Sequence, residues 1–279
     1  MCSTPLNRSV TPKLNRSSHT NRASSDSKIS GRVVPEGGIS ILKFGSSILR
    51  TEEDLPTVVE EVRFWLMGGG RVIAVVSAFG DTTEKLFERC RRYGDPSNEE
   101  ALAALVATGE QGSAALVALA LSKAGIEARV LDPVEIELRA YGVPLDARLS
   151  GVNTEVIREA LTECRAVVIP GFIARTSRGS SALLGRGGSD LTALFLAHAL
   201  SARRCRLIKD VDGLYESDPK AGEADHPKRY EYLGWDEALA LESGVIQQKA
   251  LMFAADNKLS FEVTALGGAS GTWVGEKRA

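Results

Sequence analysis

Residues 38–45 read GISILKFG and residues 71–77 read RVIAVVS, with a helical pattern and a glycine triplet between them. Each run is short, apolar and bounded by turn residues, which is how a buried strand reads. Leu55, Val58, Val59, Val62, Trp65 and Leu66 recur at helical spacing over 55–67, and Gly68, Gly69 and Gly70 stop the pattern. Strand, helix, strand predicts a βαβ unit with a right-handed crossover. Outward from this unit the spacing predicts helices near 83–93, 99–108 and 111–124, strands near 128–131 and 166–170, a helix over 191–202 and a strand over 206–209. The end reads as helices over 235–244 and 246–257, then two short strands over 260–266 and 271–274. Such alternation predicts an α/β fold whose mostly parallel sheet is covered by helices on both faces.

Residues 1–31 have a different texture. The first 30 hold eleven Ser or Thr, five basic residues and one acid, Asp26. Too little apolar surface is present to offset the entropy of ordering, so this stretch is expected to be a disordered tail, with an organelle transit peptide as the alternative. The folded domain is expected over 32–279. The whole chain of 279 residues has a formal net charge of −2, but without the first 30 residues 29 basic side chains face 35 acidic ones. A net −6 argues against a nucleic-acid partner and for a small molecule. Cys2, Cys90, Cys164 and Cys205 stand far apart with no metal-ligand or redox spacing, and His19, His198 and His226 fall in no motif. No apolar run approaches the roughly 20 residues a membrane span needs. A cytoplasmic protein without a membrane partner is expected.

Four glycine-bearing turns concentrate the chemistry. Lys43-Phe44-Gly45-Ser46-Ser47 ends the first strand with a lysine and a turn of backbone N–H groups, the parts that cradle polyphosphate, although neither a P-loop nor a dinucleotide fingerprint is present. Residues 184–190, LGRGGSD, combine three glycines with Arg186, whose planar fork suits a carboxylate or phosphate. Ser189 or Asp190 can cap the helix expected from Leu191. Lys209 opens a third loop, KDVDGLYESDPK, carrying Asp210, Asp212, Tyr215, Asp218 and Lys220 after a strand, where α/β folds bind ligands. In the fourth, Thr108-Gly109-Glu110-Gln111-Gly112, the glycines break two helical patterns and put Glu110 near a helix N-terminus.

Together and in this order, these segments resemble the aspartate kinase members of the amino acid kinase family. The resemblance covers about residues 39–275. It rests on Lys43-Phe44-Gly45, VVSAFGDTT at 75–83, Gly109-Glu110, PGFIAR at 170–175, LGRGGSD at 184–190, DVDGLY at 210–215 with Asp218-Pro219, and Gly271-Thr272. It implies a three-layer αβα sandwich, with an acceptor lobe over about 32–175 and a nucleotide lobe over about 176–279. The implied reaction is phosphorylation of the side-chain carboxylate of L-aspartate by ATP with Mg²⁺. By that resemblance Lys43 neutralises the transferring phosphoryl group and Asp190 organises the lysine side. Arg186 takes the α-carboxylate and Glu110 the α-ammonium, with Thr82, Ser47, Gly187 and Ser189 at the acceptor. Gly45, Ser46, Lys209, Asp210, Asp212, Tyr215, Asp218 and Lys220 hold the nucleotide.

Three departures from the family pattern stand out. The usual Lys-Phe-Gly-Gly-Thr-Ser is here Lys43-Phe44-Gly45-Ser46-Ser47-Ile48; the Thr that usually precedes the first loop Asp is Lys209; and a nucleotide-contacting lysine falls on Gly244, with Lys249 five residues later as a candidate substitute. The regulatory domains that usually follow are not part of the resemblance, and regions with this start also resemble the amino-terminal part of some proteins carrying homoserine dehydrogenase. Two alternatives therefore stay open: a weakly catalytic or non-catalytic module that regulates a homoserine dehydrogenase partner, and a kinase of the same fold for another carboxylate or phosphate acceptor, such as glutamate or a nucleoside monophosphate. A homodimer is expected from the family.

Overall fold

The computed structural model describes residue 32 and residues 37–217, 227–241 and 243–277. The expected tail over 1–31 and the expected nucleotide contacts Asp218 and Lys220 lie outside these residues. The founding βαβ unit is as the pattern predicts: β1 (Ile39–Phe44), α1 (Leu55–Met67) and β2 (Arg71–Val76). Pro56 sits in the first turn of α1, where its missing N–H costs nothing, and Gly68 closes the helix. After α2 (Thr82–Tyr93) and α3 (Glu99–Lys123) come β3 (Ala128–Val130), β4 (Arg139–Val143), β5 (Asp146–Gly151), α4 (Thr154–Glu163), β6 (Ala166–Pro170), β7 (Ile173–Arg175) and β8 (Ser181–Leu183). The rest is α5 (Gly188–Ala199), β9 (Arg204–Lys209), β10 (Tyr232–Leu233), α6 (Trp235–Ala240), α7 (Gln248–Asp256), β11 (Phe261–Ala265) and β12 (Thr272–Val274).

Eight strands form the main sheet in the order β10-β12-β11-β9-β1-β2-β6-β3, and only β12 with β10 runs against the others. Alternate residues supply the two faces. Ile41, Ile73 and Leu207 pack with α4, α5, α6 and α7, whereas Leu42, Val72, Ala74 and Ile208 pack with α1 and α3. The three-layer αβα sandwich with a mostly parallel sheet is thus realised. The chain passes from β1 to β2 on one side, and β9 returns to pair with β1 on the other, so β1 and β9 flank a topological switch point, where a crevice opens beyond their carboxyl ends.

Three local expectations are corrected. Residues 99–124 do not form two helices broken at 108–112; α3 is one helix, capped by Asn98, whose side chain accepts from the Ala101 N–H. The Ala- and Leu-rich sequence on both sides carries it through Gly109 and Gly112. Glu110 is therefore mid-helix, not at an N-terminus. Helix α5 starts at Gly188, and its N-cap is Gly187 in the left-handed region (φ 74°), so neither Ser189 nor Asp190 caps it. A second sheet, β5-β4-β7-β8, is absent from the sequence reading, because its strands are short and β4 and β5 are half exposed, without a clean apolar alternation.

Candidate active site

Lys43 and Lys209 stand near the carboxyl ends of the neighbouring strands β1 and β9, where Lys43 pairs in register with Leu207 and Phe44 with Ile208. Both lysines lie on the sheet face that α5 covers. Asp190, in the first turn of α5 and 3% exposed, meets them both. Its Oδ2 accepts a hydrogen bond from Lys209 Nζ at 2.6 Å. Its Oδ1 lies 2.7 Å from Lys43 Nζ, an ion-pair contact without hydrogen-bond alignment. Burial alone would raise the Asp190 carboxyl, but the two ammonium groups hold it below the usual carboxylate range. Burial, then the like charge of Lys43, lowers the Lys209 ammonium, with Asp190 pulling the other way.

This cluster lines a cavity of about 320 Å³. The turn Gly45-Ser46-Ser47, the glycine loop Gly185–Gly188 and the first turn of α5 line it too. Two lysines against one aspartate leave a local positive charge on an acidic protein, and the start of α5 adds its unpaired N–H groups. Gly45 keeps the space open, since a Cβ there would stand 2.7 Å from Lys43 Nζ. The glycines of 185–188 serve the same close packing: a Cβ on Gly187 would press on Gln247, and one on Gly188 on Phe172 and Leu184.

Across the cavity stands Glu110, 2% exposed, with Oε2 lacking a hydrogen-bond partner among the described residues. Burial pushes its carboxyl up to about 8, against the opposing pulls of the Ala78 backbone N–H, Lys43 and Thr83. Gly109 lets α2 approach α3 here, as a Cβ would meet Thr82, Leu86 and Ala78 at 3.1–3.3 Å. Arg186 is exposed on the cavity rim and forms no ion pair with another described residue. A cation and an orphaned buried carboxylate beside an anion-attracting cluster can hold a zwitterion next to a phosphate.

The sequence profile of the amino acid kinase family matches residues 38–264. This chain belongs to the amino acid kinase family. It is 32% identical over 244 residues to an aspartokinase of Geobacillus stearothermophilus, covering 86% of this chain and 60% of that protein. Aspartokinase 2 of Bacillus subtilis is 30% identical over 229 residues, covering 81% and 56%. The chain therefore spans about 60% or less of these curated relatives. The solved aspartate kinase from Synechocystis superposes with a TM-score of 0.73 at 26% identity, over 86% of this chain and 40% of that one. Isopentenyl phosphate kinase shares the fold alone, with a TM-score of 0.62 at 19% identity.

Within this amino acid kinase fold the expected site residues divide. Lys43, Gly45, Ser46, Ser47, Glu110, Arg186, Gly187, Ser189, Asp190 and Lys209 come together in one cavity. Thr82 does not line it; Thr82 packs against Gly109, and its neighbour Thr83, whose side chain reaches Glu110, lines the cavity instead. Asp210, Asp212 and Tyr215 leave the cavity beyond Lys209. The Tyr215 hydroxyl donates to Asp212, which also pairs with Arg229 at 3.2 Å. Lys249 is no substitute for a lysine at Gly244: its Nζ binds Asp146 Oδ1 at 2.6 Å, Leu184 O at 2.8 Å and Ala147 O at 3.0 Å. Ser77, Phe172, Val245 and Gln247 line the cavity without having been singled out. Ser77 and Phe172 lie inside the VVSAFGDTT and PGFIAR blocks, which carried a signal; Val245 and Gln247 precede α7 beside Gly244, where only the missing family lysine drew notice. Ser77 Oγ donates to Ser189 Oγ at 3.0 Å, joining β2 to α5 across the cavity floor.

Proposed function

We propose that this chain transfers the γ-phosphoryl group of ATP to the side-chain carboxylate of L-aspartate, giving 4-phospho-L-aspartate and ADP. The reading is carried by one observation: Arg186 and the orphaned Glu110 carboxyl line the same cavity as the Lys43, Asp190 and Lys209 cluster. An α-amino acid presents a carboxylate and an ammonium that match the first pair, and its second carboxylate then points toward the cluster. The curated relatives named aspartokinase support aspartate over other acceptors.

One oxygen of the aspartate side chain attacks the γ-phosphorus, and the bond from that phosphorus to the β–γ bridging oxygen breaks, leaving ADP. The attacking carboxylate is already ionised, so no side chain has to remove a proton. Catalysis is then positioning and charge stabilisation. Lys43 neutralises the γ-phosphoryl oxygens, Lys209 the bridging side, and Asp190 keeps the two cations apart and aimed. Ser46, Ser47 and the glycine loop with Ser189 offer N–H groups to phosphate and acceptor, and Thr83 takes the place expected of Thr82. Residues 210–215 are assigned to the part of the nucleotide beyond the phosphates. The acceptor half, before about residue 176, and the nucleotide half after it meet at the seam between β1 and β9. Mg²⁺ enters with ATP as the substrate complex. Both oxygens of Asp190 are taken by lysines and the described residues form no carboxylate cage around the cavity, so no step is assigned to the ion. A cytoplasmic location is part of this reading, with an organelle as the alternative if residues 1–31 act as a transit peptide.

Purified full-length chain with saturating MgATP should release ADP only when aspartate is added, and hydroxylamine should trap an aspartyl hydroxamate. Equal ADP release with glutamate would move the reading to another acceptor. Calorimetric binding of aspartate and nucleotide with no turnover would replace it by the regulatory module, with a homoserine dehydrogenase as the partner to test next.

A further inference from the structure

Phe172 lines the cavity in a backbone conformation that a bulky side chain disfavours. Among the described residues four non-glycine residues have positive φ: Glu137, Phe172, Ser201 and Lys258. Three of them are exposed in turns, whereas Phe172, at φ 66°, is half-buried at the cavity. The Ile173 N–H returns to the Gly171 carbonyl at 2.8 Å, so residues 171–173 make a γ-turn of the strained hand with Phe172 at its centre.

Such a conformation persists only where the surroundings over-determine it. Both backbone groups of Phe172 are held here. Its N–H donates to Thr192 Oγ1 at 3.2 Å, and its carbonyl accepts from the Leu184 N–H at 2.9 Å. Thr192 is fully buried and its hydroxyl donates to the Gly188 carbonyl at 2.9 Å, so one side chain ties the turn to the start of α5. The turn places the ring between the two elements that carry Arg186 and Glu110. On one side lies Gly188, where a Cβ would stand 2.7 Å from the ring Cδ2. On the other lies the apolar cluster to which α3 gives Leu102, Val106 and Ala107, the last of them three residues before Glu110. Phe172 is the one aromatic among the lining residues; Ala78 and Val245 are the other apolar side chains there.

We propose that Phe172 sets the length of the amino-acid acceptor: its ring is the wall behind the ammonium and α-carboxylate, and it excludes acids longer than aspartate. This rests on the reading that Glu110 and Arg186 hold those two groups. The reacting carboxylate of any acceptor has to reach the Lys43, Asp190 and Lys209 cluster. An acid one methylene longer must therefore set its other end farther back, where the ring stands. The ring cannot swing aside without breaking the backbone bonds that hold the turn.

Calorimetric titration of the full chain with aspartate and with glutamate, each with ADP present, tests this beside the kinetics of ADP release from MgATP. The wild type should bind aspartate at least about tenfold more tightly than glutamate. Phe172→Leu keeps an apolar side chain of smaller volume, and should raise the glutamate-to-aspartate ratio of kcat/KM at least about tenfold, chiefly through KM. Phe172→Gly, which carries no penalty at positive φ, should raise the ratio further and serves where the leucine variant does not fold. A wild type that binds both acids equally would overturn the proposal. So would a parallel loss with both acids at an unchanged ratio, the mark of a merely structural ring; aspartate-dependent turnover in the wild type would then leave the phosphoryl-transfer reading standing. Aspartate binding without turnover would overturn that reading instead, and the ratio of affinities would decide the role of Phe172. Binding of neither acid would overturn both.

Discussion

Lys209 Nζ lies 2.6 Å from Asp190 Oδ2, while the other oxygen of the same carboxylate faces Lys43 at 2.7 Å. One buried acid thus holds two cations that would otherwise repel each other across the mouth of the switch point. The charge left over is what a phosphate meets.

Replacing that acid removes the counter-charge and keeps the shape. Asp190→Asn should lower kcat by about 10²–10³, as the loss of electrostatic preorganisation does elsewhere. The carboxyl is depressed in the fold, so its stabilising contribution is present above the unfolded value of 3.8 and is lost as pH falls through the lower folded one. Urea midpoints should therefore separate wild type from Asp190→Asn at neutral pH and converge in acid. Lys209→Met should lower kcat with little loss of stability, since Asp190 keeps Lys43.

Glu110 carries the opposite shift. Burial raises it to about 8, so the free site holds it protonated at neutral pH, whereas binding an ammonium requires the carboxylate. The KM for aspartate should rise toward tenfold per pH unit below about pH 8, while kcat stays flat. Glu110→Gln should raise KM and abolish this dependence. The linkage to folding has its own sign: a raised folded value favours the fold fully below the unfolded 4.5, and that advantage is lost as pH rises through about 8. Wild type should accordingly lose thermal stability relative to Glu110→Gln between about pH 4.5 and about pH 8, with no further change above.

The strands that hold the two lysines were legible because burial writes itself as apolar runs. Every strand of the main sheet except the two-residue β10 follows from such a run. The β4–β5 hairpin was not legible, because half-exposed strands carry no such pattern. In the site, Lys43, Asp190 and Lys209 could be read from glycine turns after strands. Glu110 could be named but not placed, since two glycines read as a helix break where α3 continues. Thr82 and Thr83 are adjacent, and only the approach of α2 to Gly109 decides which of them faces the cavity. Gln247 stood in a stretch noted for the lysine missing at Gly244, but its own part, filling the space above Gly187, carries no residue-type signal.

Lys249 joins three pieces of chain through one ammonium: Asp146 at the start of β5, the Ala147 carbonyl and the Leu184 carbonyl, which leads into the glycine loop. Asp146 is largely exposed, so the ion pair itself contributes little and the two carbonyl bonds carry most of the effect. Lys249→Met should cost about 1 kcal/mol in urea unfolding. The larger change should be in kcat/KM, falling roughly tenfold as the loop bearing Arg186 loosens.

Gly187 and Gly179 separate backbone strain from crowding. Both are left-handed, at φ 74° and 82°, and any other L-residue there costs about 1–2 kcal/mol. Around Gly179, in the exposed turn between β7 and β8, a Cβ would meet nothing within 4 Å, so Gly179→Ala should cost that amount and leave kinetics unchanged. At Gly187 the same Cβ would stand 2.5 Å from the Cβ of Gln247, ahead of α7. Relief requires either α7 or the start of α5 to move, and α5 carries Asp190. Gly187→Ala should therefore destabilise by at least about 1 kcal/mol more than Gly179→Ala. It should also lower kcat, because Asp190 would no longer hold both lysines at contact. Equal unfolding midpoints for the two variants would mean that the glycine loop yields freely, and that the cluster depends on α5 alone.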